Sequence, residues 1–205
     1  VSLTKLLPVA VPTRTQLAGT QDTNSLFGLW RLPIGERLNV TMGGRVDDVA
    51  GVATFGTWRT TAAYSISETG TKFRARAGTG AKAPTLFQLY APTYGNASLS
   101  PEESFGYDAG IDQSLFDGRV TLSLTGYGNR FSNLIDFVVD GGNPLGHYIN
   151  VARAETSGVE FGGNVVLAPG LLKLNAAYTY LRAKDLATGL TLARRPEHLA
   201  RFSLS

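Results

Sequence analysis

Cysteine is absent from the 205 residues, which removes a disulfide framework and any thiolate metal site or cysteine nucleophile. Histidine is nearly absent too. His147 and His198 are the two imidazoles; they stand far apart and in neither an HExxH nor a Cys/His spacing. No GxSxG nucleophile elbow occurs. No apolar run approaches the roughly 20 residues of a membrane-spanning helix; the stretch 6–11 is short and broken by Pro8. Charged residues make up 17%, below the quarter or so usual in soluble domains, and a net charge of +3 is too mild to imply nucleic acid. The chain starts at Val1 without a charged leader and cleavage site, so it reads as an internal piece of a longer protein or a processed chain. No enzyme activity, resident cofactor or metal site is expected.

What is abundant is alternation. The 24 glycines and the scarcity of helix formers favour short turns between strands. Leu38, Val40, Met42 and Val46 oppose Asn39, Thr41, Arg45 and Asp47. Trp58, Ala62, Tyr64 and Ile66 oppose Arg59, Thr61 and Ser65. The same period of two places Phe73, Ala75 and Ala77 against Arg74 and Arg76, then Phe105, Tyr107, Ala109 and Ile111 against Ser104, Asp108 and Asp112. It continues with Leu122 and Leu124 against Thr121 and Ser123, Val159, Phe161 and Val165 against Glu160 and Asn164, and Leu174, Ala176, Tyr178 and Tyr180 against Lys173, Asn175 and Thr179. A last run, 196–205, stops in mid-pattern. Residues 1–24 show no period and are left as loop or partial strand; 25–205 form one unit of about nine strands.

The connections alternate in length. Short turns at 33–36, 68–71, 116–118 and 168–170 interleave with longer loops at 48–56, 81–103, 140–147 and 183–195. A transmembrane barrel sorts short turns and long loops onto opposite rims in this way. Trp58, Phe105, Tyr107, Tyr178 and Tyr180 fall near the long loops, and Trp30 and Phe73 near the short turns, where two aromatic girdles belong. The apolar faces of these stretches carry no charge, and a cation facing mid-bilayer lipid costs roughly 2–4 kcal/mol. Arg45, Arg59, Arg74, Arg76, Asp108 and Glu160 are therefore assigned to a wet or protein-filled lumen. A soluble antiparallel sheet with one solvated face produces the same alternation, but has no reason to sort its loops.

The longest loop belongs to the stretch GTGAKAPTLFQLYAPTYGNASLSPEESFGYDAG, residues 78–110. Loops of this length usually have a function. Gly78, Gly80 and Lys82 make a poor phosphate loop, since Lys82 is followed by Ala83 and Pro84 and no helix is evident. Asp47, Asp48 and Asp140 give a weak hint of calcium, without a fixed ligand spacing. Tyr90, Tyr94, Asn96, Asn143, His147 and Asn150, with Arg194 and Arg195, supply aromatic, amide and cationic groups around a vestibule suited to a large, partly polar ligand such as a chelate.

The motifs GTGAKAPTLFQLY, GNASLSPEES, GYDAGIDQSLFDGRV, NRFSNLIDFVV, YINVARAETSGVEF, AAYTYLRAKD and ARRPEHLA follow one another in the order and spacing of a known family. From about residue 25 to its end the chain resembles the barrel of TonB-dependent outer-membrane receptors. The resemblance implies an all-β fold: part of a plugged, transmembrane antiparallel barrel of about 22 strands. It implies residence in the outer membrane of a Gram-negative bacterium, with contact to outer-membrane lipid and coupling to the TonB complex through a plug outside this chain. The implied activity is energised import of a scarce metal chelate, either cobalamin or a ferric siderophore. The spacing from NLIDF to ARRP leans toward the cobalamin branch. The lumen charges would then hold the plug. A passive outer-membrane pore, or an adhesin-type barrel whose loops bind a partner, is the alternative.

Overall fold

Alternating side chains leave a strand two unlike faces, and such a strand is stable only beside others that share them. The computed structural model describes residues 19–141, 143–168 and 172–205, and it meets that requirement with a single sheet. The strands are β1 (Thr23–Ile34), β2 (Leu38–Val49), β3 (Ala53–Ile66), β4 (Thr71–Lys82), β5 (Glu102–Leu115), β6 (Val120–Asp140), β7 (Asn143–Ala168), β8 (Leu172–Asp185) and β9 (His198–Leu204). Each pairs antiparallel with its sequence neighbours, in the order β1 to β9. The sheet is thus a meander, and β1 and β9 are its edges.

Register holds the two faces apart. Met42, Thr60, Ala77, Tyr107 and Gly128 follow one another across five strands on the apolar face. Thr61, Arg76, Asp108, Tyr127 and Gly158 do the same on the opposite face. Large apolar residues remain exposed on the first face, among them Trp30 at 70%, Trp58 at 46% and Phe161 at 42%. A sheet that leaves such residues uncovered is built to meet something other than water. β1 departs from the pattern: Phe27 and Leu29 lie on the face of Arg45, so this edge strand is apolar on both sides.

Several expectations are corrected. Most strands are longer, so two of the longer loops shrink. β2 and β3 are joined by residues 50–52 rather than 48–56, and β6 and β7 hydrogen-bond up to Asp140 and Asn143. At that position the rim is raised by a hairpin arm made of the upper ends of β6 and β7, strands of 21 and 26 residues, in place of an irregular loop. The long connections left are 83–101 and 186–197. β1 begins two residues inside the stretch left unassigned; residues 1–18 lie outside the described part.

The longer strands also change the apolar face. It is free of charge over the middle of the sheet, but beyond Tyr107 and Tyr180 it carries Glu103, Arg130, Glu155, Arg182 and Lys184. His198, inside the last run read from sequence, opens β9 on this same face, with Nδ1 2.7 Å from the Tyr178 hydroxyl.

Candidate functional site

Two regions gather chemistry: the charged face of the wall and the apex above it. On the wall, register places all six of Arg45, Arg59, Arg74, Arg76, Asp108 and Glu160 on one face. Period-two alternation puts Arg74 and Arg76 side by side on β4, and pairing sets Asp108 opposite Arg76. Arg76 forms an ion pair with Asp108. Arg74 donates to Asp112 at 3.1 Å and to the Thr125 hydroxyl at 2.6 Å, and its other nitrogen lies 4.0 Å from Asp108. Asp108 and Thr125 are each 8% exposed, whereas the side chains of Arg74, Asp112 and Arg76 keep 34, 36 and 65% of their surface, so two arginines and two aspartates neutralise one another around one buried carboxylate at a partly solvated surface. Gly110 makes the room: a Cβ there would stand 3.1 Å from the Arg74 guanidinium carbon and 2.8 Å from the Leu124 carbonyl.

A second cluster lies near the long-loop rim. Arg45 donates to Asp47 at 2.8 Å and to the Ser25 hydroxyl at 3.0 Å. Asp48 points to the other face, where it accepts from the Thr54 hydroxyl at 2.6 Å. The two neighbouring carboxylates thus diverge, which undoes the calcium hint. Arg59 and Glu160 form no ion pair with a described residue. Below the clusters, a concavity of about 1060 Å³ opens on the same face, lined by Lys72, Asp112, Ser123, Asn164, Asn175 and Arg201 among others. Lys82, the one lysine of the glycine stretch, is bound by Glu102 at 3.0 Å.

At the apex, loop 83–101 leans against the β6–β7 arm. Contrary to the sequence reading, a helix follows Pro84: α1 (Leu86–Tyr90), with Thr85 and Gln88 forming a capping box. Pro84, Leu89, Ala91 and Leu99 are buried beneath the loop. Tyr148 on the arm takes Phe87 on one side and Phe137 on the other, at centroid distances of 6.2 and 5.2 Å, and Tyr94 meets Phe137 edge-on at 5.6 Å. Backbone bonds close the seam, with the Tyr148 amide donating to the Tyr94 carbonyl at 3.1 Å.

This seam absorbs part of the expected ligand set. Asn96 donates to the Tyr148 carbonyl at 2.9 Å, while its oxygen accepts from the Ser98 amide at 2.9 Å. Asn150 accepts from the Ser100 amide at 2.9 Å and donates to the Ser100 and Asn133 carbonyls at 3.0 and 2.7 Å. With both hydrogens and the oxygen engaged, Asn150 is a brace. Tyr94 is a brace as well, through its ring. Tyr90 remains half-exposed, with its hydroxyl 3.5 Å from where a Gly51 Cβ would sit. His147 faces Val138 across the arm, and its Nδ1 is buried without a hydrogen-bond partner. Asn143 opens β7 opposite Asp140. Arg194, in the left-handed region at φ 59°, and Arg195 belong to loop 186–197, which folds back along β8 through Leu192 N–H to the Ala183 carbonyl at 3.0 Å. Hydrogen bonds and ring contacts tie Tyr94, Asn96 and Asn150 into the seam; those described do not extend to Arg194 or Arg195. Phe87, Phe137, Tyr148 and Ser100 escaped sequence reasoning; the readable signal was the Thr85/Gln88 capping pair.

Residues 4–205 match the family described as TonB dependent receptor-like, beta-barrel. The chain belongs to that family. The match takes in most of the first 24 residues, where the sequence alone had shown no likeness. The vitamin B12 transporter BtuB of Photobacterium profundum is 38% identical over 164 residues, covering 78% of this chain and 26% of that protein. The chain therefore spans about a quarter of its relative's length. Among solved structures, the ferric enterobactin receptor PfeA of Pseudomonas aeruginosa superposes with a TM-score of 0.76 at 24% identity, over 90% of this chain and 30% of that one. The siderophore receptor PirA of Acinetobacter baumannii gives 0.75 at 18%, over 88% and 30%. At these identities the structures establish the fold. This TonB-dependent receptor barrel segment is thus an outer-membrane, all-β, antiparallel wall of a Gram-negative protein. The family is one of receptors and transporters.

Proposed function

We propose that the chain forms part of the wall and outer loops of an energised importer whose cargo is a metal chelate of the cobalamin class. The supporting observation is the 38% identity to a vitamin B12 transporter across 78% of the chain. The siderophore receptors share the fold at 24% or less.

In this reading the apolar face meets lipid and the charged face lines the lumen, because charge is tolerated there and not at the bilayer midplane. The neutralised Arg74–Arg76–Asp108–Asp112 cluster stiffens the wall. Arg59 and Glu160, with no ion-pair partner among the described residues, are offered to a plug that seats against this face and carries the TonB-contacting segment. Cargo meets Tyr90, His147, Asn143, Arg194 and Arg195 at the outer rim, while the braced Tyr94, Asn96 and Asn150 keep that rim in shape. The chain holds and positions; the cargo leaves chemically unchanged.

Uptake of labelled cyanocobalamin by cells relying on the intact receptor tests this, with ferric catecholate and hydroxamate chelates as competitors. Cobalamin uptake that requires TonB and resists the ferric chelates is expected. Competition by a ferric chelate with no cobalamin uptake would overturn the cargo assignment, and uptake independent of TonB would favour a passive pore.

A further inference from the structure

The charges on the lipid-facing side of the strands form a compact group. Two adjacent rows of the register run Phe105–Arg130–Glu155–Lys184 and Tyr107–Gly128–Ser157–Arg182. The next row toward the sheet centre is Ala109–Gly126–Val159–Tyr180–His198, followed by Ile111–Leu124–Phe161–Tyr178–Ala200. Three cations and one carboxylate thus sit directly above two rows that carry Tyr180 and His198, then Phe161 and Tyr178, with the His198 ring against both tyrosines. Glu103 lies one row further out, opposite Ser132. Glu155 is 3.4 Å from Arg130, whereas Arg182 and Lys184 form no ion pair with a described residue. Gly128 and Ser157 lie between Arg130 and Arg182, and the Tyr107 ring lies over Gly128, 2.7 Å from where a Cβ there would stand.

Aromatic girdles mark the boundary between acyl chains and headgroups. A cation on the lipid side is expensive at the midplane and nearly free at the interface. These three stand on the interface, on the rim of the long loops, which in such barrels is extracellular. The layer they meet there is the headgroup region of the outer leaflet.

We infer that Arg130, Arg182 and Lys184 form a binding site on the outside of the barrel for the phosphates of an outer-leaflet phosphorylated glycolipid, with its acyl chains lying on Leu124, Phe161 and Tyr178 below. Arginine holds phosphate by paired N–H donors and lysine as a point charge. The net positive balance complements a doubly phosphorylated headgroup, and continuity with the apolar band specifies a lipid over a soluble anion. The Glu155 carboxylate competes for Arg130 and sets an upper limit on affinity. The site rests on the family's membrane placement and is independent of the cargo.

The test uses the intact receptor in detergent, titrated with bisphosphorylated lipid A and with its dephosphorylated form, and read by native mass spectrometry. Bisphosphorylated lipid is expected to bind the wild type. The R130Q/R182Q/K184Q variant should bind about tenfold more weakly, since each exposed charge contact is modest. E155Q should bind more tightly, a gain that a misfolded variant would not show. R119Q, on the opposite rim, should match the wild type. Equal binding of the two lipids by the wild type, or wild-type affinity in the triple variant, would overturn the inference. Cobalamin uptake by the same variants reads the cargo assignment separately.

Discussion

Replacing Asn150 by alanine should loosen the apex without unfolding the wall. The side chain makes three hydrogen bonds, two to Ser100 and one to the Asn133 carbonyl, and so joins loop 83–101 to the irregular register between Phe131 and Leu134. A net hydrogen bond contributes about 0.5–1.5 kcal/mol. The partner groups here can recover water on opening, which favours the lower half of that range. The sum is roughly 2 kcal/mol, or about thirtyfold in the equilibrium between closed and open loop. Hydrogen exchange of the intact receptor reads this directly. The Ser100 amide, protected in the closed loop by the Asn150 oxygen, should exchange about thirtyfold faster in N150A. The Ala109 amide, inside the β5 ladder, should not change. N150D keeps the acceptor and loses both donors, so it should fall between. Equal Ser100 exchange in N150A and wild type would refute the brace, as would a matching rise at Ala109.

Two further perturbations separate the faces of the wall. Leu124→Arg puts a cation between Ile111 and Phe161 on the apolar face; at about 2–4 kcal/mol it should cut the folded, heat-modifiable fraction in the outer membrane, whereas Ser123→Arg, opening on the large concavity, should leave it near wild type. Equal behaviour of the two would mean that the lipid side is misassigned. Asp108→Asn removes the carboxylate shared by Arg74 and Arg76; those arginines are 34% and 65% exposed in their side chains, so the expected loss is about 1–2 kcal/mol, less than for a fully buried pair, and Arg59→Gln should leave the urea midpoint unchanged.

The strands were legible because period two survives in any sheet with unlike faces, and Met42, Trp58 and Leu124 announce one face as clearly as Arg74 and Asp108 announce the other. Strand ends were harder to place. Val49, Ala53 and the residues of the β6–β7 arm extend pairing past the point where alternation against a membrane is enforced, so polarity gives no stop signal there. The charges of the outer rim were hidden for the same reason, since Arg182 and Lys184 follow Tyr180 without a break. That the six wall charges share one face was readable because register depends on parity alone. At the apex, sequence named the neighbourhood of Tyr94, Asn96 and Asn150 but not the partners they find within the chain: an amide that closes its own loop and one that grips a ligand look alike until the chain is folded. The helix at Leu86 was missed because five residues carry no measurable period, although Thr85 and Gln88 marked its start.

The arm that rises from the rim is also the top of the wall. β7 runs as one hydrogen-bonded strand from Asn143 to Ala168, and Tyr148, which loop 83–101 grips, belongs to it. A load applied to the exposed rings of Phe87 or Tyr90 is therefore passed down one strand toward the short turns, and the give in that path is placed at the register shifts where Phe131, Leu134 and Ile135 face Ala154, Ala152 and Asn150.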